Sequence, residues 1–212
     1  MSRTPEAMSE VECHALDAHR WPDLETLFGP HGATGGCWCM YWRLARSQFT
    51  AQKGEGTKQA FRHLVESGQS VGLLAYVKEQ PVGWCAIAPR ESYPVLDRSR
   101  ILKRIDEMPV WSVVCFFVSK DCRGQGVTTS LLRAAVNYAA QHGARIIEGY
   151  PVEPKSPRMP AAFAWTGLAS AFRQVGFREV LRRSETRPIM RYVITASSPT
   201  RQEGERPSAG DL

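Results

Sequence analysis

The segment Trp111–Tyr150 reads WSVVCFFVSKDCRGQGVTTSLLRAAVNYAAQHGARIIEGY, and it decides which fold the sequence predicts. Its first part, Trp111–Val118, is almost continuously apolar, which is typical of a strand buried on both faces of a sheet. Val127–His142 follows with apolar residues at helical spacing, and Gly143 is placed to end that helix. Arg145–Tyr150 predicts a second strand. The segment therefore predicts a right-handed β-α-β unit.

A glycine-rich turn joins the first strand of this unit to the helix. It reads Arg123-Gly124-Gln125-Gly126-Val127-Thr128-Thr129. Glycine lets the backbone turn sharply and approach a ligand without a Cβ atom in the way. The first amides of the helix then point outward at the positive end of the helix dipole, where a pyrophosphate can bind. The turn therefore predicts a site for a phosphate-bearing ligand.

Several kinds of glycine turn could occupy this position. A P-loop is excluded, because no Gly-Lys-Ser/Thr is present. A Rossmann dinucleotide loop stays open as the weaker alternative, since Glu148 follows Gly124–Gly126 at the distance of a ribose-binding acid. Two features argue against it: the polar Ser119–Arg123 separates the strand from the glycines, and no further β-α units follow Pro151. A purely structural turn is disfavoured by the hydroxyl-rich start of the helix.

The turn and its surroundings closely resemble the GNAT superfamily of N-acetyltransferases. That family carries Gln/Arg-x-x-Gly-x-Gly/Ala after its fourth strand, and Arg123, Gly126 and Thr128 occupy the pattern, with Thr128 in place of the final small residue. The strand ending Phe116-Phe117-Val118 is similar as well. Phe172–Phe177 stands in place of the family's usual Tyr-x-x-x-Gly-Phe.

The resemblance implies an α+β fold with a mixed central sheet of about six to seven strands and helices on both faces. It is specific for about Trp111–Phe177 and weak before Ser70. We expect a single domain over 1–195, with its motif-bearing core at about 70–194. Residues 196–212 are rich in Ser, Pro, Gly and Glu, which predicts a disordered tail.

The resemblance also implies where acetyl-CoA binds. The backbone of the strand end pairs with the pantetheine arm like an added strand, and the glycine turn holds the pyrophosphate. No metal is implied. The implied acetyl-CoA-binding residues are Phe116, Phe117, Val118, Arg123, Gly124, Gln125, Gly126, Val127, Thr128, Thr129 and Phe172.

Catalysis is expected where the fourth and fifth strands splay apart, near Cys115 and Glu148. The family often protonates the departing sulfur with a tyrosine on the last helix, and that position is Phe172, which cannot donate. Glu148 and Tyr150 are two apart on a strand and project from one face, so Glu148 is a candidate base and Tyr150 a candidate acid. The alternative is that Glu148 pairs with a surface arginine and Tyr150 merely packs.

These features together predict an acetyl-CoA-dependent N-acetyltransferase acting on a primary amine of a small molecule or peptide. A non-catalytic acyl-CoA-binding module remains open, because Phe172 replaces the tyrosine. The acceptor is not readable from the sequence, although Pro89–Pro109 and Gly149–Trp165 are expected to flank the cleft. Asp106 and Glu107 could attract a cationic amine.

Composition and charge limit the other classes of function. The longest apolar runs, Cys37–Trp42 and Val113–Val118, are far too short to span a membrane. Met1–Arg20 lacks the apolar stretch of a signal peptide, so we expect a cytoplasmic protein. The net charge of +6 comes from scattered arginines without interleaved aromatics, which argues against a nucleic-acid groove. A homodimer remains open.

The Cys37-Trp38-Cys39 motif suggests a metal pair, but zinc cysteines usually have two to four residues between them and no second pair is obvious. We therefore expect reduced, buried thiols and no metal.

Outside the central unit, the patterns predict further strands and helices. They are a strand at Glu10–Leu16, helices at Trp21–Phe28, Trp38–Ser47, Thr57–Glu66 and Gly167–Val175, a loop at Pro30–Gly36, a hairpin of Ser70–Tyr76 and Val82–Ala88, and strands at Phe177–Arg183 and Ile189–Ile194.

Overall fold

Seven strands form one mixed sheet in the computed structural model, which describes residues 10–156 and 164–195. Their order across the sheet is β1-β2-β3-β4-β5-β7-β6. The predicted tail, 196–212, lies outside the described residues. The strands are β1 (Glu12–Ala15), β2 (Leu73–Val77), β3 (Gln80–Pro89), β4 (Trp111–Val118), β5 (Ile146–Gly149), β6 (Arg178–Arg182) and β7 (Pro188–Val193).

Only one pair of neighbouring strands in this sheet is parallel. The strands β1 to β4 pair antiparallel in chain order, and β5, β7 and β6 also pair antiparallel. The strands β4 and β5 run parallel, and the helix α4 (Val127–Gln141) connects them. The predicted β-α-β unit and the mixed sheet are therefore confirmed.

The described ranges contain five α-helices, and helices pack on both faces of the sheet, as the sequence predicted. The helix α4 buries a stripe that includes Leu131, Leu132 and Ala135. On the other face, Trp21, Leu24 and other apolar residues of the N-terminal helices pack into a separate apolar cluster. None of the helices in the described ranges is long and apolar enough to cross a membrane. The remaining helices are α1 (Trp21–Phe28), α2 (Arg46–Gln52), α3 (Glu55–Glu66) and α5 (Ala169–Val175).

The helix predicted at Trp38–Ser47 is wrong. Trp38 and Cys39 have φ angles of +41° and +54°, in the left-handed region that an α-helix of L-residues cannot use. The segment instead forms successive turns, and the helix α2 begins at Arg46. The apolar pattern misled the prediction because these aromatics are buried by turns rather than by one helical face.

Two loops adopt strained or left-handed backbone. The expected loop Pro30–Gly36 contains an irregular turn in which Ala33 has φ +65° and ψ −82°. The hairpin between β2 and β3 turns at Lys78 and Glu79, which both have positive φ. Two successive residues with positive φ suit the right-handed twist of the flanking strands, so the predicted hairpin forms.

Candidate functional site

The parallel strands β4 and β5 pair over only three residues and then separate. The last pair is Val113 with Gly149. Beyond it, the backbone N–H of Phe116 donates to the carbonyl oxygen of Trp165 at 2.6 Å, so a later segment of the chain lies beside β4 instead of β5. The splay that the resemblance implied is therefore present.

A bulge in β4 adjoins this splay. In the pairing with β3, Ala86 lies opposite Cys115 and Ile87 opposite Val113, so Val114 is the extra residue. The indole Nε1 of Trp42 donates to the carbonyl oxygen of Val114 at 3.3 Å. Trp42, from the N-terminal half of the chain, thus holds the β4 backbone where β4 and β5 separate.

The glycine turn lies at the N-terminus of α4. Gly124 and Gly126 have φ angles of +76° and +80°, and Gly126 is the residue that precedes the helix. The first amides of α4 have no acceptor within the helix, so they can bind an anion. Arg123 Nε donates to the Val118 carbonyl oxygen at 3.1 Å, and the Gln125 amide donates to the Asp121 carbonyl oxygen at 2.7 Å.

A cleft of about 700 Å³ connects the glycine turn with the splay. Nine of the eleven residues predicted to bind acetyl-CoA line it, whereas Gln125 and Phe172 do not. The nine are Phe116, Phe117, Val118, Arg123, Gly124, Gly126, Val127, Thr128 and Thr129. The cleft therefore brings together both halves of the site that the resemblance implied.

Phe172 lies in the core rather than on the wall of this cleft. Its side chain is fully buried and packs edge-on against Phe116, with ring centroids 6.1 Å apart. A Cβ atom added at Gly149 or Gly167 would lie only 2.1 or 2.8 Å from the Phe172 ring. The ring therefore fills the space that these two glycines leave beneath the splay.

Several residues that line the cleft were not predicted as binding residues. The turn after α1 supplies Ala33 and Thr34, and the segment before α5 supplies Trp165, which the sequence placed only in a flanking wall. No local motif marks these positions, because they reach the cleft from distant parts of the chain. The others are Cys122, Ala164, Gly167, Leu168, Ser170, Ala171 and Gln174.

Glu148 and Tyr150 lie together, as their strand spacing predicted. The Tyr150 hydroxyl donates to Glu148 Oε1 at 2.7 Å and lies 3.0 Å from the Ser112 hydroxyl. Both side chains are almost fully buried, and neither lines the cleft. Burial, and next the charge of Glu148, hold the pKa of Tyr150 well above its usual value of 10. Tyr150 is therefore protonated at neutral pH.

Two arginines pair with the Glu148 carboxylate. Arg90, which is 1% exposed, donates to Glu148 Oε1 at 3.0 Å, and Arg191 Nε donates to Oε2 at 2.8 Å. Arg90 also donates to the Tyr150 hydroxyl and to Asp97. Its Nε is buried with no hydrogen-bond partner in the described part of the chain. Glu148 is thus paired with arginines, but with the buried Arg90 and the mostly buried Arg191 rather than with a surface arginine, and Tyr150 hydrogen-bonds instead of only packing. The acid–base roles stay predictions.

Asp106 joins the same network from the insertion between β3 and β4. It accepts two hydrogen bonds from Arg191, at 2.7 and 2.9 Å. Arg191 is the main reason that the pKa of Asp106 lies below its usual value. The side chain that was considered as an attractant for a cationic amine is thus already paired, and it ties the insertion to β7.

The chain matches one family of known proteins over more than half of its length. The model of the acetyltransferase (GNAT) family matches residues 38–159, which include β2 to β5, the glycine turn and Trp42. The chain belongs to the GNAT acetyltransferase family. A comparison with curated protein sequences finds no match.

Solved structures support the GNAT fold. A GNAT-family acetyltransferase from Listeria monocytogenes has a TM-score of 0.54 at 8% identity, covering 91% of this chain and 100% of that chain. The ribosomal-protein-S5-alanine acetyltransferase from Vibrio fischeri has a TM-score of 0.52 at 13% identity, covering 89% and 96%. At such low identity, these likenesses show that the fold is shared.

The Cys37-Trp38-Cys39 motif of this GNAT chain is built into the core. Cys39 Sγ accepts a hydrogen bond from the Trp84 indole at 2.9 Å. A hydrogen bond with Cys115, together with burial, holds the pKa of Cys39 well above its usual value of 9.0. Among the residues described, no cluster of three or more His, Cys, Asp or Glu side chains is arranged to hold a metal ion.

A second and larger cavity of this GNAT domain, about 880 Å³, lies between the end of α1, the turn at Gly32–Gly36 and the start of α3. Its walls carry Lys53 and Lys58 but also Glu25, which pairs with Lys58 at 2.6 Å. The mixed charge gives no preference for an anion. The glycine turn of α4 does not line this cavity, so the 700 Å³ cleft is the candidate site.

Proposed function

We propose that the chain is an N-acetyltransferase that moves the acetyl group of acetyl-CoA to a primary amine by direct attack. One observation carries the proposal: a single cleft runs from the glycine turn of α4 along the C-terminal end of β4 to the splay. A long ligand with a pyrophosphate at one end and a thioester at the other matches these two ends.

The reaction makes one bond and breaks one. The amine nitrogen attacks the acetyl carbonyl carbon, an N–C bond forms, the C–S bond breaks and the thiol of CoA leaves. An amine of pKa ~10.4 costs about 4–5 kcal/mol to deprotonate at pH 7, so a positioned base would contribute to the rate. A backbone amide at the Val114 bulge could stabilise the oxyanion.

The groups that move the protons are a separate part of the proposal. Glu148 as base is supported by its position on β5 beside the splay. Tyr150 as acid is supported by its position directly after β5 and by its protonated state. The ion pairs of Glu148 with Arg90 and Arg191 support a second role, which is to hold the insertion against the sheet.

A non-catalytic CoA-binding module is the competing function. The observation that favours it is the apolar Phe172, buried at the position where the family often carries a proton-donating tyrosine. Such a module would bind acetyl-CoA equally well without turnover. Enzyme function is favoured because CoA thiols, like cysteine, have a pKa around 8.5, so the thiolate can leave near neutral pH without a donor.

Thermal unfolding and thiol release test the proposal. Acetyl-CoA should raise the melting temperature, since it binds only the folded state, whereas NAD and FAD should not. Gly126→Val should abolish the shift, because a branched side chain at φ +80° blocks backbone approach. A panel of amines, peptides, aminoglycosides and polyamines then identifies turnover by release of free thiol. Binding without turnover across the panel would support the non-catalytic module. Stabilisation by NAD alone would refute both the acetyltransferase and the CoA-binding module.

A further inference from the structure

Arg187 lies at the end of the sheet where the cleft opens. It immediately precedes β7, and β7 pairs with β5 so that Gly149 is opposite Met190. Pro188, at the start of β7, therefore lies beyond the end of β5. This is the same end at which β4 and β5 separate.

One hydrogen bond fixes the Arg187 guanidinium beside the cleft. Its Nη1 donates to the Thr166 hydroxyl at 2.8 Å, and Thr166 is 1% exposed. Thr166 stands between Trp165 and Gly167, which both line the cleft. The hydroxyl therefore holds the arginine against the segment that lies beside Phe116. Within the described part of the chain, the other N–H donors of the guanidinium have no side-chain or carbonyl acceptor and can serve a ligand.

Among the described residues, no carboxylate balances the charge of Arg187. Arg90 and Arg191 each pair with carboxylates. In the described ranges, by contrast, no carboxylate lies within ion-pair distance of Arg187, and the nearby Glu185 pairs with Lys155. Burial lowers the pKa of Arg187, because part of the guanidinium is removed from water. A half-buried, unmatched guanidinium is suited to a ligand anion.

Aromatic rings stand next to this arginine. Trp165 stacks on Trp42 with ring centroids 5.7 Å apart, and Tyr41 meets Trp165 edge-on at 5.6 Å. Tyr41 is 43% exposed, and the Trp165 that it contacts directly precedes Thr166, the hydrogen-bond partner of Arg187. An exposed aromatic surface beside an unmatched cation can bind a molecule that has an apolar body and an anionic group.

We propose that Arg187 binds a carboxylate of the acceptor, while Tyr41 and Trp165 contact its apolar or aromatic body. The acceptor class is then a primary amine that carries a carboxylate, as an amino acid does. This inference rests on the proposed acetyltransferase function and deepens it. A guanidinium matches the planar carboxylate with two parallel hydrogen bonds, which a lysine ammonium cannot reproduce.

Matched pairs of amines that differ only in the carboxylate test this inference. Phenylalanine is compared with phenethylamine, tryptophan with tryptamine, and leucine with isopentylamine, by thiol release from acetyl-CoA. In at least one pair, the wild-type protein should prefer the carboxylate-bearing amine by about 10- to 100-fold in kcat/KM. Arg187→Met should remove that preference by lowering kcat/KM for the carboxylate-bearing amine, whereas Arg187→Lys should keep part of it. Arg178→Met, an exposed arginine of β6, is the matched control and should keep the preference.

Two results would overturn the inference: no preference for the carboxylate in any pair, or a preference that Arg187→Met leaves unchanged. A direct measurement separates its failure from failure of the proposed function. The six amines are titrated into the wild-type and Arg187→Met proteins by calorimetry, with and without CoA. Carboxylate-dependent binding that requires Arg187 supports the inference even if no thiol is released. Its absence refutes the inference even if acetyl-CoA binds.

Discussion

The backbone N–H of Phe116 donates a hydrogen bond to the carbonyl oxygen of Trp165 at 2.6 Å. This contact joins β4 to the segment before α5 at the point where β5 has moved away. The resemblance to the GNAT family implied that the same stretch of β4 backbone pairs with the pantetheine arm. One N–H has a single proton to donate, so the arm and Trp165 compete for it if pantetheine uses Phe116.

Trp165 is therefore expected to report on ligand binding. Acetyl-CoA should change the intrinsic fluorescence of the wild-type protein, and Trp165→Phe should lose most of that change because Trp165 lines the cleft. Trp111→Phe is the control, since Trp111 packs against Tyr138 and His142 and does not line the cleft. An equal signal in both variants would mean that the ligand does not reach Trp165.

Gly124 and Gly143 allow the role of the glycine turn to be separated from backbone strain. Their φ angles are +76° and +78°, and a Cβ atom at either would meet nothing within 4 Å. Replacing either glycine by alanine should lower the free energy of unfolding, measured in urea, by about 1–2 kcal/mol. Only Gly124→Ala should also weaken acetyl-CoA binding, because only Gly124 lines the cleft. Equal affinities in the two variants would exclude the turn as the pyrophosphate site.

Replacing Glu148 distinguishes a structural role from a catalytic one. Glu148→Gln should lower the free energy of unfolding by about 3 kcal/mol, because it leaves the buried Arg90 guanidinium without its buried charged partner. Asp97→Asn is the control: Asp97 also pairs with Arg90 but is 44% exposed, so the cost should stay below about 1 kcal/mol.

The kinetics of the same variants test the predicted base. If Glu148 takes the proton from the amine, Glu148→Gln should lower kcat by about 10²- to 10⁴-fold and leave acetyl-CoA affinity nearly unchanged. Raising the pH should then restore part of the rate, since more of the amine is neutral. Tyr150→Phe should lose less. A rate that falls only in proportion to the folded fraction, without rescue at high pH, would exclude Glu148 as the base.

The half-buried thiol of Cys37 predicts a loss of stability in alkaline solution. Burial raises its pKa from the ordinary 9.0 to about 11. Because the folded-state pKa is the higher one, its contribution is fully present below pH 9 and is lost as the pH rises from 9 to 11. The loss should be about 2–3 kcal/mol at most. Thermal unfolding between pH 8.5 and 10.5 should therefore show a shallower decline in Cys37→Ala than in the wild type, and parallel curves would contradict the prediction.

Local sequence was sufficient to predict the central part of the fold. The strand Trp111–Val118 was predicted with its observed bounds, and the helix after it to within one residue at its end. The reason is that apolar periodicity and glycine conformation depend on residues close together in the chain. The family motif added the location of the cleft, because Arg123–Thr129 is a continuous segment whose local conformation forms its wall.

The sequence by itself thus determined the β-α-β unit, the glycine turn and the projection of the Glu148 and Tyr150 side chains to the same side. Only the tertiary structure decided what those groups touch: Arg90 reaches Glu148 from 58 positions away, and Arg191 from 43. Likewise, the left-handed backbone of Trp38 is set by packing against rings such as Trp21, with which it stacks at 5.9 Å. Periodicity carries no information on contacts between distant segments, because they form only when the whole core packs together.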